Sequence, residues 1–258
     1  MKNDLIAAVQ AYVDTGVPAR SVPFEWDGKR YWIKISLPCQ RTVWHRVQDC
    51  FAFLSRAEVL RSTVSSFDQV GLDEEAKRLI RIKARHVLVP DVVAQKPGWL
   101  LLSDIGTSLH DALENAEEKE PLLMKAMVAL ADLHQKGGWH GTGQLRDMII
   151  SPAGEVGFID FEEAVGEAMG RDAAQARDVL RFLISAVRFD REDGALLQQL
   201  LARYQANGPQ TVWPQMKAVL RLISPLAFIL RPFYNKLGRD VRETLLVYQA
   251  LKQTVRQP

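Results

Sequence analysis

Residues 139–164, WHGTGQLRDMIISPAGEVGFIDFEEA, constrain this chain more than any other stretch. The run before them, EPLLMKAMVALADLHQKG, has Leu122, Met127, Leu130 and Leu133 among its apolar positions, and Gly137-Gly138 follows. A helix is predicted to stop there. His140-Gly141 opens a loop that runs to Asp147, Met148-Ile149-Ile150 reads as a short strand, Pro152 to Gly154 as a turn, and Val156 to Ile159 as a second strand. A hairpin reverses the chain, so Asp147 before it and Asp160 after it are expected as neighbours. Two close carboxylates repel unless a cation bridges them. Mg²⁺ takes one or two carboxylates, keeps several waters and completes its shell with substrate phosphates. The segment therefore suggests a nucleotide–metal site, with Asp147 and Asp160 as metal ligands.

Upstream, VPFEWDGKRYWIKIS places two β-rich runs around Asp27-Gly28, a strong hairpin signal. Alternation puts Lys34 on one face with Trp32, opposite Ile33 and Ile35. RTVWHRVQDCFAFLSRAEVLR, residues 41–61, carries Val43, Val47, Phe51 and Leu54 at helical spacing, and a loop with Gly71 is expected to follow. LDEEAKRLIRIKARH predicts a helix with acids in its first turn and bases later. VLVPDVV ends in a strand, and GWLLLSDIGTSL predicts another that leaves through Asp104 and Gly106. AAQARDVLRFLISAV is a further helix, and residues 194–257 suggest three more. Strands come first and helices after, which predicts an α+β fold with an N-terminal part over 1–102 and a helical part over 103–258.

The 258 residues, 47% hydrophobic, suit one large domain or two lobes. A net charge of +2 does not indicate a nucleic-acid surface. Cys39 and Cys50 lack any metal-binding spacing; they could pair, but two isolated cysteines read more readily as free thiols of a reducing compartment. No signal-peptide pattern stands at the N-terminus, and VLRLISPLAFIL, residues 219–230, is shorter than the ~20 residues that span a bilayer. A cytoplasmic location is the expectation. Residues 219–239 combine apolar side chains with Arg221, Arg231, Lys236 and Arg239. They have the make-up of an interfacial membrane segment, and equally of a helix pair packed on its own lobe.

The ordered set of landmarks resembles the protein-kinase-like superfamily, above all its bacterial lipopolysaccharide and small-molecule kinase branch and the Bud32-type kinases. LADLHQKGGWHG is similar to the helix entering the catalytic loop, and IDFE to the metal-binding motif after it. Aligning His140 with the family's loop histidine puts Asp147 at the metal-binding Asn position. The resemblance covers roughly residues 20–185. It implies a bilobal fold binding ATP and Mg²⁺. Lys34 would pair with phosphates, Glu75 (with Glu74 as rival) would orient Lys34, and Leu102, Ser103 and Asp104 would line the adenine site. Asp178 would brace the loop from a later helix. The acceptor it suggests is a sugar or a lipid-linked saccharide.

Two departures stand out. Thr142 occupies the position of the base that takes the acceptor's proton, and threonine has no useful basicity near neutral pH. The glycine-rich phosphate loop is missing, with only Gly16 near its place. Three readings follow: an active transferase in which Asp147 combines metal and proton roles, one with its base supplied elsewhere, and a pseudokinase that binds nucleotide as an interaction module. Among the rest, His140 is expected to brace backbone. Arg146 is expected to pair with Asp147, meet a phosphate or brace Asp178. Glu162 and Glu163 are expected to be solvated or to start a helix. His45, His86, His110 and His134 read as surface or core residues, and Trp44, Phe51 and Phe53 as core.

Overall fold

A computed structural model describes residues 2–17, 19–36, 68–161, 169–191, 193–230, 232 and 238–256. The helix expected over 41–61 with its His45, Trp44, Phe51 and Phe53, the two cysteines, Glu162, Glu163, Arg231 and Lys236 lie outside the described residues. The fold is α+β, a small antiparallel sheet and many helices. The chain divides into two compact units. The first comprises Met1–Thr42, Val64–Thr107 and Ile149–Ala164, so most of the hairpin expected with the helical part is counted with the sheet. The second comprises Val43–Thr63, Ser108–Met148 and Val165–Pro258.

In the first unit, helix α1 (Lys2–Asp14) leads into β1 (Ser21–Trp26) and β2 (Lys29–Ile35). Asp27 and Gly28 both have positive φ, 51° and 68°, as a two-residue turn matched to strand twist requires. Helix α2 (Gln69–Lys83), β3 (Val92–Lys96) and β4 (Trp99–Ser103) complete a four-stranded sheet in the order β1-β2-β4-β3. Leu5 and Val9 of α1 pack on Ile33, Ile35, Trp99 and Leu101, and that cluster fills one face of the sheet. Register pairs Lys34 with Leu100 and Trp32 with Leu102, so these four share the opposite face.

Helix α2 starts a turn earlier than the sequence suggested. Asp68 caps it by accepting from the Gly71 N–H at 3.0 Å. Gly71 is therefore inside the helix, and Asp73 and Glu74 fall beyond its first turn. Residues 87–91 are not a strand; β3 begins only at Val92, after Pro90.

Strands β5 (Thr107–Ser108), β6 (Met148–Ile150) and β7 (Val156–Phe158) form a three-stranded sheet in the order β5-β6-β7. Gly106, at φ 142°, has no room for a side chain: a Cβ there would lie 2.2 Å from the Ile150 carbonyl oxygen.

The second unit holds α3 (Leu109–Asn115), α4 (Glu120–Gln135), α5 (Arg171–Ala186), α6 (Ala195–Asn207), α7 (Trp213–Leu230) and α8 (Arg239–Arg256). The last three are the three helices expected over 194–257. Leu123, Met127 and Leu130 of α4, Phe182 and Leu183 of α5, and Leu197, Leu200 and Tyr204 of α6 are fully buried. Among the described residues, no helix is long and apolar enough to cross a membrane.

Candidate functional site

The first unit gathers charge around one lysine. Lys34 is 6% exposed, because the strand that carries it is buried on both faces where β4 pairs with it. A buried ammonium requires partners. Lys34 Nζ donates to Glu75 Oε1 at 2.5 Å and to Asp160 Oδ1 at 2.6 Å. Glu75 comes from the buried side of α2, and its side chain has no exposed surface. Glu74, one residue earlier, points outward to Lys77 at 2.7 Å. Helical geometry thus separates the two candidates, and Glu75 is the one that meets Lys34.

Asp160 lies two residues beyond β7 at φ 70°, in the left-handed region that aspartate tolerates better than most residues. Its neighbour is clamped: Arg78 of α2 donates to the Phe161 carbonyl at 2.9 Å and lies over the Phe161 ring. So α2 holds both Glu75 and the backbone next to Asp160. The two carboxylates of the cluster differ. Glu75 is sealed, whereas the Asp160 side chain keeps 42% of its surface in contact with solvent. Asp160 was expected as a metal ligand. Here it also pairs with Lys34, which spacing along the chain could not reveal.

At the expected adenine end, Leu102 is buried on the Trp32 face and Ser103 exchanges hydrogen bonds with Asp91 in both directions. Asp104 accepts from the Trp32 indole at 2.8 Å, and its backbone N–H donates to the Arg30 carbonyl. The backbone N–H groups of Ser103 and Asp104 are thus engaged within the unit.

The second unit holds a loop fixed by Asp178, which projects from α5 and is fully buried. Asp178 accepts from the backbone N–H of His140 at 2.6 Å and of Gly141 at 2.7 Å, and from His134 Nε2 at 3.2 Å. Burial alone would raise its pKa. The His134 hydrogen bond, the nearby His134 and His140 rings and the His140 backbone N–H together outweigh that and hold it below 3.8. His134 Nδ1 meets the Tyr204 hydroxyl at 2.7 Å, so the chain of contacts runs from α5 through α4 to α6. Gln175 donates to the carbonyls of His134 and Gly138, pinning the end of α4.

The loop closes on itself as well. The N–H groups of Thr142 and Gly143 point at His140 Nδ1, at 3.3 and 3.2 Å. That nitrogen is therefore an acceptor, and the Thr142 hydroxyl, 2.8 Å away, donates to it. His140 braces backbone, as expected. Gly143 has φ 57°, and a Cβ would stand 2.6 Å from the Asp178 carbonyl oxygen, so only glycine lets the loop reach α5.

Asp147 belongs to this second unit and Asp160 to the first. Asp147 is buried at the end of a short 3₁₀ turn, Leu145–Asp147, and its Oδ2 has no hydrogen-bond partner among the described residues. An orphaned buried carboxylate oxygen fits a cation ligand. Arg146 is mostly exposed, with its Nε 3.5 Å from Asp147 Oδ1, and it does not brace Asp178. Among the described residues, no cluster of three or more His, Cys, Asp or Glu side chains forms a ready metal site.

Sequence reasoning missed His134, Tyr204, Gln175, Arg78 and Gly143. The sequence did carry a signal for Gly143, the Gly-Thr-Gly run around the missing base.

No protein-family model matches the chain. It is 26% identical over 221 residues, 83% of its length, to an uncharacterized protein of Haemophilus influenzae, covering 82% of that relative.

Proposed function

We propose that the chain is a kinase-like phosphotransferase of bilobal fold, using ATP with Mg²⁺. The observation that carries this reading is Lys34, a nearly buried cation held by the sealed Glu75 and by the half-exposed Asp160. Partial exposure lowers the desolvation cost of Asp160 and leaves it able to change partners, while the sealed Glu75 aims Lys34, an arrangement that suits a polyphosphate site. In the first unit, the half-exposed Asp160 offers a carboxylate to a hard divalent cation, which would neutralise charge developing on the transferred phosphoryl group; in the second, the orphaned oxygen of Asp147 is a separate candidate ligand. The end of β4, with Leu102, Ser103 and Asp104, would receive the base. The acceptor in this reading is a sugar or a lipid-linked saccharide, a choice that rests on the family resemblance alone.

A second reading has its own support. The Thr142 hydroxyl is committed to His140 Nδ1, so the usual base position offers no proton acceptor. That favours a pseudokinase, a nucleotide-binding regulatory module. Phosphoryl transfer depends mainly on positioning and charge neutralisation, and a general base is worth about 10²–10⁴-fold, so slow transfer remains compatible with Thr142.

A thermal melt with ATP, with and without Mg²⁺, tests the nucleotide site. Ligand at about 100 times its dissociation constant adds about 2.7 kcal/mol, a rise of roughly 2–4 °C for a chain of this length. The reading requires a Mg²⁺-dependent rise that Asp160→Asn abolishes, and no shift with any nucleotide would overturn it. Labelled phosphate transfer to cell-envelope extract then separates enzyme from pseudokinase.

A further inference from the structure

Helix α7 carries an outward face that the described residues leave exposed. Lys217, Arg221, Pro225 and Ile229 recur every four residues, and Phe228 lies one heptad beyond Arg221 on the same side. All five are exposed, with Phe228 82% exposed, and Leu226 stands exposed beside them. The opposite side of the helix, with Met216, Val219, Leu220 and Ala227, is buried. The exposed face is graded along its length: cations occupy its N-terminal half, and Pro225, Phe228 and Ile229 its C-terminal half, with Leu226 exposed on the flank beyond Ile229.

We propose that this face is a peripheral membrane-binding surface for anionic phospholipid. Phe228, Ile229 and Leu226 enter the boundary between headgroups and acyl chains, while Lys217 and Arg221 lie among the lipid phosphates. Three observations favour lipid over a second copy of the chain. No acidic residue occurs anywhere in α7, so another copy's α7 would bring cations to cations, whereas a phosphate surface complements them. Neither Lys217 nor Arg221 meets a carboxylate among the described residues, so both charges face solvent. Four exposed apolar side chains are also far fewer than the ~20–30 residues a side of a stable protein interface. For an interfacial anchor backed by two cations they suffice.

The test is co-sedimentation of the full chain with phosphatidylcholine vesicles, with and without phosphatidylglycerol. Wild-type protein should partition onto the phosphatidylglycerol vesicles, with binding that weakens as salt rises. Replacing Phe228 and Ile229 together by serine should weaken it by roughly tenfold or more. Lys217→Glu with Arg221→Glu should abolish the preference for the anionic lipid. All four positions are exposed, and an unchanged melting curve shows that the variants fold. Absence of partitioning onto either vesicle overturns the proposal. So does binding that ignores both variants. A concentration-dependent dimer that the serine variant dissolves, without vesicle binding, assigns the face to a second copy instead.

Discussion

Two buried charge clusters, one in each unit, solve the same electrostatic problem in opposite ways. Asp178 is completely enclosed, and backbone N–H groups and His134 supply its partners, so its charge is spent on holding a loop. Lys34 is nearly as buried, but Asp160, one of the two carboxylates it meets among the described residues, sits in a left-handed conformation at a strand exit and keeps part of its surface in water. A carboxylate enclosed by fixed donors can only stabilise. A carboxylate shared between a lysine and solvent can also change partners. The contrast is why the proposed chemistry is assigned to the Lys34 cluster, with the Asp178 cluster as its structural counterpart.

The largest effect should fall on the enclosed cluster. Asp178→Ala strands two backbone N–H groups and the His134 ring, and is expected to cost about 3–5 kcal/mol, read from the urea midpoint. Lys34→Met leaves Glu75 as an uncompensated buried charge and should cost a similar amount, about 3–5 kcal/mol. Adding Glu75→Leu should restore much of that loss, because the pair then leaves together. If the double variant is no better than the single one, the lysine is held mainly by Asp160 and the contrast weakens.

Gly143→Ala meets both a positive φ and the Asp178 backbone, and should cost more than 2 kcal/mol. Gly28→Ala, also at positive φ but in open space, should lose only about 1 kcal/mol. Acid should act through Asp178. Its folded pKa is depressed, so its stabilisation is complete above the unfolded value of 3.8 and is lost as pH falls through the lower folded value. Wild-type protein should therefore show an acid-induced fall in stability below about pH 4 that is smaller in Asp178→Asn. The smallest structural effect belongs to Asp160→Asn, expected within about 1 kcal/mol of wild type because the group is part-exposed, yet expected to remove the Mg²⁺-dependent nucleotide shift. A large loss of stability in that variant would make Asp160 a structural partner like Asp178 and erase the distinction.

Much of this was legible because it is local. Asp27-Gly28 specifies a turn through its own backbone preferences, and strand alternation placed Lys34 opposite Ile33 and Ile35. The three C-terminal helices followed from apolar spacing. One misreading was also local. Gly71 looked like a loop residue but lies inside α2, because Asp68 caps the helix three residues earlier.

The sequence by itself placed the charged residues on their elements, Lys34 on its strand, Glu74 and Glu75 on their helix, Asp160 after its hairpin and Asp178 on a later helix; their partnership was only implied by the family resemblance. Propensity, capping and periodicity act over a few residues, so they select the elements and the faces on which these groups stand. Only the tertiary structure decided who meets whom. Lys34 and Asp160 are 126 residues apart, and His134 joins Asp178 to Tyr204 from three different helices. Such pairings are set by the register of β2 on β4, the seating of α2 and the packing of α4, α5 and α6. Buried charges enforce them, because desolvation makes any arrangement without partners too costly to persist.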